Sequence, residues 1–155
     1  MKLKQILLTS GLLLNVINGH ANCQDSMVFG ANQKIYWVRQ SFDTGVIYRK
    51  LTVPISAASP NEALRAGEFL ISQYVQALGR WNSGYKAVIV EGENLRLQTY
   101  VVSKSYSMAI MIKRDQMTVT AGDPQSALLI GDALLSTRIE QLGGEPTGYK
   151  AELVK

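Results

Sequence analysis

The chain carries one motif written twice. Displacing the sequence by 64 positions lays Ser59-Pro60-Asn61-Glu62-Ala63-Leu64 on Asp123-Pro124-Gln125-Ser126-Ala127-Leu128 without a gap. The register then holds downstream, where Leu78-Gly79 meets Leu142-Gly143 and Gly84-Tyr85-Lys86-Ala87 meets Gly148-Tyr149-Lys150-Ala151. Upstream the match is looser but in phase, with Tyr36 on Tyr100, Val38 on Val102, Ser41 on Ser105 and Arg49 on Lys113. Two helices alike by chance would not keep an ungapped register through the turns and strands on either side. Residues 27–90 and 91–154 therefore read as two copies of one unit, and whatever local structure suits one copy must suit the other.

The helix signals are the strongest in each copy. Ser59 and Asp123 are N-cap types, followed by Pro60 and Pro124 at the first helical position, where the missing N–H is no loss. Ser59 with Glu62 makes a capping box in the first copy, and Gly79 and Gly143 are the C-terminal stops. Between them, Leu64, Gly67, Ile71, Tyr74, Val75 and Leu78 recur at helical spacing, as do Leu128, Gly131, Leu135, Ile139 and Leu142. Leu129 and Ile130 replace Arg65 and Ala66, so the second helix is expected to be covered on more than one side. Gly67 and Gly131 share a mid-helix position where glycine costs about 1 kcal/mol relative to alanine. Close packing of helix on sheet or on helix is the expected reason.

β-branched and aromatic runs bounded by turn residues give the strands. Ile35–Phe42 is expected to pair with Val46–Ile55 through Asp43-Thr44-Gly45, and Leu97–Tyr106 with Met108–Thr120, with Arg114-Asp115 marking a bulge or turn inside the last. Pro54 places its strand at a sheet edge. A final strand follows each helix, at Tyr85–Val90 and Tyr149–Val154, and Glu91-Gly92-Glu93-Asn94 reads as a hairpin loop between copies. The expected fold is α+β: a tandem duplication of a strand-strand-helix-strand unit, forming one pseudo-twofold antiparallel or mixed sheet with two helices packed on it. One domain over residues 22–155 is favoured over two lobes, because a 64-residue unit has a marginal core alone.

Residues 1–21 stand outside that domain. Lys2 and Lys4, the apolar run Ile6–Ile17 and the small residues Gly19 and Ala21 make a secretory signal peptide cut after Ala21, too short in its apolar part to span a bilayer. No later run is long enough to span either. Cys23, the chain's one cysteine, has no internal disulfide partner; an intermolecular disulfide or a lipid anchor are its possible roles beyond an unpaired thiol in the N-terminal tail. Asn22 before it is not the small residue that lipid-acceptor sites carry there. Of 16 Lys+Arg, two leave with the signal while all 12 Asp+Glu stay, which cuts the net charge from +4 to +2. The remaining cations are scattered, so nucleic acid is not an expected partner.

Catalytic sets are sparse. His20 is the one histidine and lies in the signal, so residues 22–155 hold no Ser–His or Cys–His pair, and with one cysteine and no histidine zinc is not an expected ligand. No phosphate-cradling glycine loop is present, and no metal, cofactor or catalytic residue is assigned. Glu68 and Asp132 share a repeat position, and as a facing carboxylate pair they would suit a hydrolase or lyase; solvent-exposed helix charge is the simpler expectation. Candidate binding residues are Trp81, replaced by Glu145 in the second copy, and the repeated pairs Tyr85-Lys86 and Tyr149-Lys150, whose neighbours in a strand point to opposite faces. Trp37, replaced by Val101, is expected to pack in the core. Together these features lead to the expectation of a non-enzymatic binding or assembly protein, periplasmic or secreted: an accessory subunit of a surface or secretion apparatus, or a small inhibitor or immunity-type protein. Its partner would be another protein or further copies of itself.

Overall fold

Two proline-headed helices organise the molecule. The computed structural model describes residues 32–82, 84–91 and 93–154, so the expected signal peptide over residues 1–21 and Cys23 lie outside the described residues. Helix α1 spans Pro60–Ala77 and helix α2 spans Pro124–Gln141. The Ser59 hydroxyl accepts from the Glu62 N–H at 3.3 Å, and the Glu62 carboxylate accepts in return from the N–H of Ala58, one residue before the cap, at 3.1 Å, a variant of the expected capping box. Asp123 accepts from the Ser126 N–H at 2.8 Å at the equivalent cap. Both helices end in a Schellman turn: Arg80 N–H donates to the Val75 carbonyl and Gly144 N–H to the Ile139 carbonyl, with Gly79 at φ +65° and Gly143 at φ +79°.

The described residues also form six strands: β1 (Lys34–Asp43), β2 (Tyr48–Ala57), β3 (Val88–Ile89), β4 (Gln98–Met108), β5 (Met111–Ala121) and β6 (Ala151–Val154). The strand-strand-helix-strand unit thus occurs twice, and its register repeats residue for residue. Val38 stands opposite Val53 and Ile89, while Val102, its repeat equivalent, stands opposite Met117 and Leu153. The isolated bridge of Asp43 to Trp81 recurs as Ser107 to Glu145. A Cβ built on Gly67 would lie 2.5 Å from Val38 Cβ, and one on Gly131 2.6 Å from Val102 Cβ. Each helix therefore rests its glycine directly on a valine of its own central strand, a spacing no larger residue allows.

Several expectations are corrected. The strands form two antiparallel sheets, ordered β2-β1-β3 and β5-β4-β6, instead of one continuous sheet. The chain leaves β3 in one sheet and enters β4 in the other, with Arg39 donating to both carboxylate oxygens of Glu93 at 2.8 and 2.7 Å, so β3 and β4 are not joined as a hairpin. Arg114 and Asp115 continue β5 without a break, opposite Ser105 and Lys104, because the turn falls earlier, at Ala109-Ile110. Pro54 does lie on an edge strand, β2.

The copies also pack one-sidedly, and not about a closed twofold. Helix α2 lies against α1, β2 and its own sheet, whereas among the described residues α1 makes no packing with β5. The Thr52 N–H on the free edge of β2 donates to Ser126 Oγ of α2 at 3.1 Å in a buried bond. That asymmetry accounts for the apolar character of α2, which buries Leu129 and Ile130 where α1 carries Arg65 and Ala66. One core, containing Val38, Phe42, Leu51, Ile71, Val102, Leu135 and Ile139, runs through both copies. Trp37, half-buried, crosses the join: its ring covers Gly122, where a Cβ would come within 2.8 Å.

Candidate functional site: a groove between the copies

The one-sided packing leaves a groove of about 550 Å³ where the first hairpin meets α2 and the segment before β6. Its apolar wall comes from Phe42, Val46 and Ile47 on the hairpin, Leu78 at the end of α1, and Leu128 and Leu129 on α2. Arg49, Arg80 and Lys150 supply cations around it, and Asp132 supplies the one carboxylate. The volume falls in the range that holds a small ligand or a few side chains of a partner.

The polar groups at this level are fixed by different networks in the two copies. In the second, Lys104 on β4 keeps only 7% of its side chain exposed and donates to Asp132, which also accepts from Ser136 Oγ at 3.4 Å. In the first, the equivalent of Lys104 is Gln40, which donates to the Tyr85 carbonyl at 2.7 Å and accepts from Asn82 at 3.1 Å; Asn82 also donates to Ser72 Oγ at 2.7 Å. A neutral residue at position 40 offers no countercharge, and Glu68 stands in solvent. Because Lys104 already meets the charge of Asp132, the groove presents a net cationic rim to a ligand. Arg80 is oriented by its bond to the Thr44 carbonyl at 3.0 Å, which also ties the hairpin loop to the end of α1.

The residues singled out in the sequence divide between two places. Tyr149 and Lys150 line the groove. Both do so because they precede β6, which begins at Ala151, so the opposite-face rule for strand neighbours does not apply to them. Tyr85 and Lys86 likewise precede β3, outside the groove. Tyr85 packs edge-on against Tyr48, ring centroids 5.7 Å apart at 68°, and hydrogen bonding with Tyr48 holds its hydroxyl above the ordinary tyrosine range. Lys86 is exposed. Trp81 is 72% exposed and touches the first hairpin through its backbone, where its carbonyl accepts from the Asp43 N–H at 3.1 Å. Glu68 does not reach the groove that Asp132 lines, so the two carboxylates have different surroundings.

Sequence reasoning missed Phe42, Arg49, Arg80, Leu128 and Leu129 as groove residues, since they come from four separated segments. One signal was present: Val46-Ile47-Tyr48 is an apolar triplet where a hairpin tip is ordinarily polar. Among the described residues, no cluster of three or more His, Cys, Asp or Glu could hold a metal, and no helix is long and apolar enough to cross a membrane. Comparison with known proteins finds no matching family model, no similar curated protein and no similar solved structure.

Proposed function

We propose that this is an exported, non-enzymatic binding or assembly protein that takes an apolar, acidic segment of a partner polypeptide into the groove between its copies. The observation that carries this reading is the pairing of an apolar wall with three cations, Arg49, Arg80 and Lys150, against a single carboxylate already neutralised by Lys104. Apolar area supplies affinity, and the cationic rim selects an acidic chain and speeds its capture. Export through the N-terminal signal places this activity in the periplasm or outside the cell, as an accessory subunit of a surface apparatus or as an inhibitor that caps its target. A hydrolase built on Glu68 and Asp132 has less support, because Asp132 is committed to Lys104 and Glu68 lies outside the groove.

The test is affinity isolation of the exported protein beside an Arg49→Glu, Lys150→Glu variant and a Lys86→Glu control. A partner polypeptide retained by the wild type and the control, and lost by the groove variant, is the expected result. Equal retention by all three places binding elsewhere on the surface and overturns the reading.

A further inference from the structure

Each β-hairpin ends in an exposed apolar triplet followed by two cations. The first reads Val46-Ile47-Tyr48-Arg49-Lys50 and the second Ile110-Met111-Ile112-Lys113-Arg114, at the same repeat positions. Val46 is 91% and Ile110 99% exposed, values that water disfavours for side chains of this kind, and the four neighbouring triplet residues are all exposed as well. Trp81, bridged through its backbone to the first hairpin, and Leu142, three residues before the Glu145 that bridges the second, are also exposed.

Both tips lie toward the C-terminal end of α2 from the contacts of their sheets, the first level with its second turn and the second beyond its end. Thr52 of β2 sits at Ser126, near the start of α2, and the tip beyond it sits level with Leu128 to Asp132. In the second sheet Val102 meets Gly131, and Ser107, just before the tip, is bridged to Glu145 beyond the end of α2. Travelling toward the C-terminal end of α2 therefore approaches both tips.

We infer that the two hairpin tips form a bipartite anchor for an anionic phospholipid surface. The triplets share chemistry but not shape: Val-Ile-Tyr against Ile-Met-Ile, branched and aromatic against branched and flexible. A protein pocket selects shape, while an acyl layer accepts any apolar side chain; Trp and Tyr at the first tip suit the headgroup level. The adjacent Lys50 and Lys113, exposed and outside any ion pair found among the described residues, sit where they would meet lipid phosphates. One tip offers a weak contact, and two on one scaffold reinforce each other.

Val46 and Ile47 also line the groove, so the decisive variant lies in the second hairpin, which takes no part in it. The exported protein and its Ile110→Ser, Met111→Ser, Ile112→Ser variant are compared by co-sedimentation with vesicles of phosphatidylglycerol and phosphatidylethanolamine, and with vesicles of phosphatidylcholine alone. Any contribution of the N-terminal segment is common to both proteins. The expected result is binding to the anionic vesicles, about tenfold weaker for the variant, and suppressed by about 0.5 M salt, with an unchanged melting temperature. Equal binding to both vesicle types, no binding, or undiminished binding by the variant overturns the inference. So does sedimentation showing that the same substitutions dissolve a dimer, which would assign the tips to a second copy of the chain. Partner capture in the groove is untouched by this variant, so the two proposals fail separately.

Discussion

Substituting alanine for Gly67 or Gly131 sets two effects of opposite sign against each other. Alanine is the better helix former by about 1 kcal/mol, so on local grounds either change should stabilise. The new methyl, however, would stand 2.5 to 2.7 Å from three carbons of Val38, or 2.6 Å from three of Val102, about 1 Å inside the normal carbon separation of roughly 3.5–4.0 Å. One of those carbons is the valine Cβ, so no rotamer change relieves the clash and the helix must lift off its sheet. Overpacking of this kind costs about 1–3 kcal/mol; with contacts this close the upper end applies, and a net loss of about 2 kcal/mol remains after the helix gain. At roughly 4 °C per kcal/mol for a domain of this size, the melting temperature falls by about 8 °C. Thermal unfolding followed by circular dichroism measures it for both variants. The duplication requires similar losses at the two sites. Stabilisation at either, or loss at one alone, refutes direct helix-on-valine contact as the reason for these glycines.

Further outcomes follow from other contacts. Ala109 holds φ +54° at the position where the first hairpin has Gly45 at φ +81°, so Ala109→Gly is expected to raise stability by about 1 kcal/mol, read from denaturant midpoints. Asp132→Ala strands the buried Lys104 ammonium and should cost about 3 kcal/mol, whereas adding Lys104→Gln, the residue the first copy uses at that place, should recover most of the loss. Ser126→Ala leaves the buried Thr52 N–H unmet and should cost about 2 kcal/mol in the same assay. Burial pushes the Tyr74 hydroxyl up to about 12, so the unfolded chain releases this proton first and stability falls as pH rises from about 10 toward 12. Tyr74→Phe should flatten that decline relative to wild type by about 2 kcal/mol over the interval.

Signals confined to one segment were legible without a structure. Caps, stops, the mid-helix glycines, the edge position of Pro54 and the extra cover on α2 each follow from a few neighbouring residues, and the repeat supplied an independent reading of the caps, stops and glycines. Features set by how segments meet were not. The strands divide into two sheets, and the free edge of β2 meets α2 through Thr52 and Ser126; which edges meet is something no strand pattern encodes. The second hairpin turn was misplaced because Ala109 takes a left-handed conformation with no glycine to announce it, while Arg114-Asp115 looks like a turn and is a strand pair bonded to Ser103 and Arg138. The groove escaped for the same reason: Phe42, Arg80, Leu128 and Lys150 are brought together only by the packing of one copy on the other.

The claim that the groove binds a partner chain is tested most directly by site-specific photocrosslinking in living cells. A photoreactive residue is placed at Leu128, inside the groove, and in a second protein at Glu68, on the solvent side of α1. The account predicts one discrete polypeptide adduct from position 128, abolished by Arg49→Glu with Lys150→Glu, and none from position 68. An adduct of the same partner from position 68, or persistence of the position 128 adduct after the charge reversal, would contradict it.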